Sequence, residues 1–306
     1  MSDEVKIVEV GPRDGLQNEK KILSVEKRVE LIRKLRGAGL NFLEGGSFVS
    51  PKAIPQMESS DKVWEALKNE SADLCFLVPN EKGFASALQA GVNSIAVFSA
   101  TSDAFTKKNI NRSVEESLDQ FEPLVVEAKR LKLRVRGYVS TVFGCPYEGF
   151  QDPTKCIKIT ERLFKMGADE ISIGDTIGVA HPRQIAHIFG LLKQSFDIRK
   201  IAAHLHDTRG MAIVNIREAL NHGIRIFDAS VGGLGGCPYA TGSSGNVATE
   251  EVCWLLDGLG FKTRVSVPKL LETAAWVEKE VERALKAKFY LSGPKQLYYD
   301  ERQSME

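Results

Sequence analysis

Short apolar runs alternate with amphipathic segments from Val5 to beyond Asn246, and no other feature limits the fold as strongly. The runs lie at 5–10, 42–48, 74–78, 94–99, 134–140, 170–174, 201–206 and 226–231, each of strand length. Helical segments follow them at 24–35, 61–68, 81–90, 113–131, from 153, 182–194, 211–220 and after Asn246. In the first of these, Val25, Val29 and Ile32 recur at helical spacing. Ser24 can cap that helix and Gly37 or Gly39 can end it; Ser113-Val114-Glu115-Glu116 reads as a capping box. Asp152-Pro153 pairs an N-cap with a first-turn proline, and Pro182 opens the next helix. Regular strand-helix alternation predicts a parallel sheet with right-handed crossovers, and eight units is the number that closes into a barrel. An open doubly wound sheet is the rival, weakened because no Gly-x-Gly-x-x-Gly follows the first strand. The expectation is a (β/α)8 TIM barrel, with residues 1–285 forming the barrel and an additional C-terminal helix, and 286–306 a polar tail.

Composition fits this reading and excludes other classes. A chain of 306 residues, 43% hydrophobic, buries a large core, and its formal charge of +1 offers no footprint for nucleic acid or an acidic membrane. No apolar run reaches the roughly 18 residues of a membrane span. Met1-Ser2-Asp3-Glu4 lacks the basic flank and apolar core of a signal peptide. The five cysteines (75, 145, 156, 237 and 253) form no Cys-x-x-Cys pair, which argues for free thiols in a reducing compartment and a cytoplasmic setting. A homodimer or other homo-oligomer is the expected assembly.

Functional groups in such a barrel sit at the carboxyl ends of strands. On the seventh run, His204 and His206 point to one face because strand side chains alternate, while Leu205 points away. Such a pair is either a metal site or core packing. Closure makes strands seven, eight and one neighbours, so Asp14, His204, His206 and an oxygen donor such as Asn246 could converge on one ion. One carboxylate, two imidazoles and an amide oxygen without thiolate suit Mg²⁺ or Mn²⁺, although imidazole alone would also suit Zn²⁺. The plain alternative for Asp14 is a turn or N-cap residue. An Arg13-Asp14 pair at a strand end, followed by Gly15, points instead toward function. Other strand ends contribute Glu44, Ser47, Arg136, Tyr138, Asp175 and Thr176, and the eighth is followed by a glycine-rich segment around Cys237. His181, His187 and His222 lie in loops or helices and are expected to face solvent.

Several segments together resemble hydroxymethylglutaryl-CoA lyase. They are Gly11-Pro12-Arg13-Asp14-Gly15-Leu16-Gln17-Asn18-Glu19, Ser47-Phe48-Val49-Ser50-Pro51-Lys52, Gly137-Tyr138-Val139-Ser140 and Gly144-Cys145-Pro146-Tyr147-Glu148. Gly174-Asp175-Thr176-Ile177-Gly178, His204-Leu205-His206-Asp207-Thr208 and Gly235-Gly236-Cys237-Pro238-Tyr239-Ala240 continue the match in order. Arg-Asp-Gly alone is shared across the wider superfamily of condensing synthases. The segment 144–148 and Lys107-Lys108-Asn109-Ile110-Asn111 are more particular to the lyase. The resemblance implies divalent-metal ligation by Asp14, His204, His206 and Asn246, and an enolate-stabilising role for Arg13. It implies proton transfer by Cys237, a catalytic place for Glu44, supporting roles for Gln17, Tyr138 and Asp175, and a carboxylate behind the metal asparagine at Glu250. The implied reaction splits (S)-3-hydroxy-3-methylglutaryl-CoA into acetyl-CoA and acetoacetate.

That chemistry asks for these residue types. A tertiary alcohol must lose its proton, which a chelating divalent ion makes easier. Asp14 and His204 are the candidate bases. A guanidinium holds its charge as the thioester enolate develops, and glycines around Cys237 let a loop close over substrate. Gly242-Ser243-Ser244-Gly245 could instead cradle a phosphate before a helix. Lys107, Lys108, Asn109 and Asn111 follow strand four, where a CoA arm could pass, with a solvated charge pair as the alternative. Gly45-Gly46 departs from the lyase pattern beside Glu44. The rivals are a lyase for a related 3-hydroxy-acyl-CoA, a condensing synthase, and a non-catalytic acyl-CoA or metal-binding barrel. Leu16 and Asp207-Thr208 stand where condensing members tend to carry Glu and Asn-Asp, and no ligand position is lost.

Overall fold

The sequence pattern predicts eight strands, and a computed structural model closes eight parallel strands into one barrel in chain order. Residues 4–70, 73–236 and 245–293 are described. The strands are β1 (Lys6–Glu9), β2 (Phe42–Ser47), β3 (Asp73–Leu77), β4 (Ser94–Ala100), β5 (Arg134–Ser140), β6 (Glu170–Asp175), β7 (Ile201–Leu205) and β8 (Ile226–Ala229). The helices between them are α1 (Val25–Gly37), α2 (Ser60–Leu67), α3 (Glu81–Ala90), α4 (Asp103–Ile110), α5 (Val114–Arg130), α6 (Pro153–Met166), α7 (Pro182–Ser195), α8 (Ala212–Asn221) and α9 (Thr249–Gly258). Two more close the chain, α10 (Val267–Glu280) and α11 (Lys288–Leu291).

Local chemistry sets the helix ends. Ser24 accepts from Lys27 N, Asp152 from Thr154 N, and Ser113 and Glu116 form the reciprocal box. The apolar core lies mainly between strands and helices, where Phe76, Phe121, Phe189 and Phe227 are fully buried. The barrel interior is partly charged: Arg136 meets Glu170 at 2.8 Å and Asp228 at 2.5 Å, and Lys6 also reaches Glu170. Burying these ions is tolerable only because each is paired.

Three details depart from the sequence expectation. Segment 103–110 is a helix, α4, started by Ser102 accepting from Phe105 N; its polar residues carry too weak an apolar stripe to announce it. The C-terminal helix, which the sequence places at Leu270–Lys286, spans Val267–Glu280 and ends just before Glu282 takes a left-handed φ of 55°. Part of the expected tail then packs: Lys288 N and Phe289 N donate to Glu251, and the Phe289 ring sits 5.2 Å from Trp254. The rest of that tail, 294–306, lies outside the described residues.

Gly45 and Gly46 have a packing reason. The β2–β3 register shifts between Glu44 and Gly46. A Cβ at Gly45 would sit 2.8 Å from the Phe76 ring, and one at Gly46 would sit 2.5 Å from Ser60 Oγ and 2.7 Å from Arg28 Nη2. Gly45 makes room for the Phe76 ring of β3, Gly46 lets α1 and α2 approach the strand, and Glu44 remains aimed into the barrel.

Candidate active site

The chain leaves β1 through a wide turn, Gly11–Gly15, in which Gly15 N reaches back to Val10 O at 3.1 Å. This turn presses against the segment after β8, where a Cβ at Gly15 would stand 2.8 Å from Ser230 Oγ. Glu9 ties the two together, accepting from Gly11 N, Val231 N and Thr249 Oγ1 at 2.9, 2.9 and 2.7 Å. Burial pushes the Glu9 carboxyl up to about 7, although those donors work against the shift.

The turn delivers Arg13, Asp14 and Gln17 to the mouth. Arg13 Nε and Nη2 both meet Glu44 Oε2, at 2.7 and 2.5 Å, and Nη1 meets Asp14 Oδ1 at 2.7 Å. Tyr138 donates its hydroxyl to Glu44 Oε1 at 2.7 Å. Glu44 thus holds the guanidinium and the phenol in place. Burial opposes the Arg13 charge, but Glu44 and Asp14 outweigh it and hold its pKa above the ordinary value. The planar fork is kept charged and fixed in direction.

Asp14 Oδ1 also accepts from Gln17 Nε2 at 3.0 Å, and Oδ2 from Asn246 Nδ2 at 2.8 Å. Asn246 reaches the site through backbone pairing: it bridges His206, while Asp207 N bonds Gly245 O and Val247 N bonds Leu205 O. His204 and His206 project from the end of β7, with their Nε2 atoms 3.2 Å apart. Ligand atoms of Asp14, His204 and His206 all lie within 4.8 Å of one another, the one such group found among the described residues. His204 Nδ1 faces Asp228 Oδ2 at 3.2 Å, whereas His206 Nδ1 is buried without a partner. Burial and the neighbouring His204 push the His206 pKa down to about 3, so its ring is neutral near pH 7. Burial pushes the Asp14 carboxyl upward, but Arg13 and the two histidines outweigh this and hold it below the usual range. An anionic carboxylate facing two imidazole nitrogens is a donor set that fits a divalent cation.

The other expected residues divide. Asp175 is buried, its oxygens accepting from Val179 N and Ala180 N, and burial lifts its carboxyl to about 6; it holds the loop after β6. Glu250, buried in the first turn of α9, accepts from Gly232 N at 3.0 Å, and burial raises it to about 8. It supports the turn after β8. Lys107 and Lys108 are exposed on α4, and the Lys108 ammonium lies 3.9 Å from the Tyr147 ring centre. Asn109 bonds its own helix at Phe105 O, and Asn111 caps α4 with φ 55°, so helix geometry accounts for both. Cys237 and Gly242-Ser243-Ser244 fall outside the described residues. Cys75, Cys145, Cys156 and Cys253 are free thiols, and His181 and His187 face solvent. His222, half-buried, pairs with Glu218.

Sequence reasoning missed Asp228 and Glu9. Each is an acid inside an apolar strand, in Ile226-Phe227-Asp228-Ala229 and Lys6-Ile7-Val8-Glu9, and that placement was the available signal.

The HMGL-like family model matches residues 4–277. The chain belongs to the HMGL-like family. Among other members, hydroxymethylglutaryl-CoA lyase of Pseudomonas mevalonii is 47% identical, over 92% of this chain and 93% of the relative. The 3-hydroxy-3-isohexenylglutaryl-CoA/hydroxy-methylglutaryl-CoA lyase of Pseudomonas aeruginosa is 45% identical, over 88% and 90%. The crystal structure of hydroxymethylglutaryl-CoA lyase from Pseudomonas aeruginosa superposes with a TM-score of 0.92 at 42% identity, covering 95% of this chain and 98% of that one. The HMGL-like barrel described here therefore agrees with a solved one along nearly its whole length. Among its described residues no helix is long and apolar enough to cross a membrane.

Proposed function

We propose that the chain is a carbon-carbon lyase that cleaves (S)-3-hydroxy-3-methylglutaryl-CoA to acetyl-CoA and acetoacetate. The observation that carries this reading is the convergence of Asp14, His204 and His206 within 4.8 Å, beside an Arg13 fork fixed by Glu44. Asp14, His204, His206 and Asn246 would hold Mg²⁺ or Mn²⁺, which when bound lowers the pKa of the substrate's tertiary hydroxyl and orients it. Proton removal from that hydroxyl breaks the bond between C2 and C3, and the electron pair becomes a thioester enolate. Arg13 spends three of its N–H groups on carboxylates, leaving two of the guanidinium's five for the enolate oxygen. Asp14, whose oxygens accept from Arg13, Gln17 and Asn246, and His204, whose Nε2 lies 3.2 Å from His206 Nε2, are the two groups placed to take that proton. Cys237 returns a proton to C2 of the enolate.

Lys107 and Lys108, exposed on α4, would flank the anionic CoA arm, while the cavity of about 360 Å³ beside Asn246 carries mixed charge, with Arg209, Lys286 and Lys288 alongside Asp207 and Glu251. The P. aeruginosa relative named for two acyl substrates favours a second reading, a lyase for a related 3-hydroxy-acyl-CoA. A cytoplasmic homodimer or other homo-oligomer completes the proposal. The test is incubation with hydroxymethylglutaryl-CoA and Mn²⁺: acetoacetate and acetyl-CoA are expected in equal amounts, and neither product would refute it.

A further inference from the structure

Asp228 lies on β8, directly opposite His204 of β7 in the strand register, and both face the barrel interior. Its carboxylate is 2% exposed and fully engaged. Oδ1 meets Arg136 Nη2 at 2.5 Å, and Oδ2 accepts from Ser172 Oγ at 2.8 Å and faces His204 Nδ1 at 3.2 Å, with Arg136 Nη1 also 3.2 Å away. Arg136 is held in turn by Glu170 at 2.8 Å and touches the Tyr138 hydroxyl. This chain of contacts runs from the base of the barrel to the back of one imidazole.

Three observations constrain that imidazole. A carboxylate only accepts hydrogen bonds when ionised, so a ring nitrogen facing it must carry the proton. A neutral imidazole with its proton on Nδ1 has its lone pair on Nε2, which lies toward His206 and Asp14. His206 has no such anchor, since its Nδ1 is buried and unpartnered. One histidine of the pair is therefore fixed in tautomer and ring plane, and the other is not.

We propose that Asp228, backed by Arg136 and Ser172, is a positioning residue that fixes His204 with its Nε2 lone pair toward Asp14 and His206. The inference rests on the cation site proposed above. Loss of such a carboxylate behind a ligand histidine weakens metal binding by about 10- to 100-fold. Asp228→Asn is nearly isosteric, but its amide can also donate to Nδ1 and so favour the opposite tautomer.

The test measures Mn²⁺ binding by electron paramagnetic resonance without substrate, in the parent, Asp228→Asn, His204→Ala and the double variant. Asp228→Asn is expected to lose about 10- to 100-fold in affinity, and to lose almost nothing further in the His204→Ala background. Unchanged affinity, or an equal loss in both backgrounds, overturns the proposal. A parent that binds no Mn²⁺ overturns the cation site. Histidine ¹⁵N spectra of the parent decide the role of Asp228 even then, and if the variants do not fold. A protonated Nδ1 and unprotonated Nε2 on His204 support it, and the reverse tautomer refutes it.

Discussion

Arg13→Lys keeps the charge and removes the fork. In the parent, one planar group bonds Glu44 Oε2 twice, at 2.7 and 2.5 Å, and Asp14 Oδ1 once, at 2.7 Å. A lysine ammonium is a compact charge on a flexible stem and cannot reproduce three bonds in that plane while presenting N–H groups to an enolate. Removing a preorganised donor to a developing oxyanion costs roughly 100- to 1,000-fold in kcat, about 3–4 kcal/mol. Stability should fall by a smaller amount, about 1–3 kcal/mol, because the Glu44 side chain is 0% exposed and keeps Tyr138 as its donor. The assay is steady-state release of acetoacetate from hydroxymethylglutaryl-CoA with saturating Mn²⁺, together with urea unfolding of both proteins. An interaction made mainly in the transition state lowers kcat and kcat/KM together and leaves KM nearly unchanged. A kcat within about fivefold of the parent, or a loss confined to KM, would show that Arg13 binds substrate or only braces Glu44.

Other perturbations separate the structural parts. Glu250→Gln should change the pH dependence of stability: burial raises the parent carboxyl from 4.5 to about 8, so the folded chain keeps a proton that the unfolded chain releases. That contribution is fully present below about pH 4.5 and lost as pH rises through about 8, so between pH 5 and 8 urea unfolding should shift in favour of the variant by up to about 4 kcal/mol. Parallel pH profiles would contradict the placement. Gly46→Ala should cost about 1–3 kcal/mol in urea unfolding, because its Cβ would meet Ser60 Oγ at 2.5 Å and Arg28 Nη2 at 2.7 Å. Cys237→Ala should bind Mn²⁺ as the parent does while losing about 100-fold or more in kcat, and unchanged turnover would remove it from the chemistry.

The barrel was legible because its grammar is local. Ser24, Ser113 and Asp152 each cap the helix start that their sequence announces. The His204–His206 pair was legible for the same reason, since strand alternation alone puts both imidazoles on one face. Their convergence with Asp14 followed from closure, which makes β8 the neighbour of both β1 and β7. What escaped depends on contacts distant in sequence. Arg136 and Asp228 meet across the barrel interior, 92 residues apart, and neither has a local partner pattern that predicts it. Asp175 and Glu250 accept from backbone N–H groups of adjoining turns, contacts that only folded geometry reveals. The helix at 103–110 was hidden because its polar residues outnumber its apolar ones and the residue it buries is Thr106.

The central claim is that Asp14, His204, His206 and Asn246 hold the cation on which cleavage depends. Acetoacetate release from hydroxymethylglutaryl-CoA, measured against free Mn²⁺ set by an EDTA buffer, tests it most directly. The account predicts no release in excess chelator and full recovery along a single-site binding curve, with no recovery in His204→Ala. Undiminished release in excess EDTA, or a His204→Ala curve that matches the parent, would contradict it.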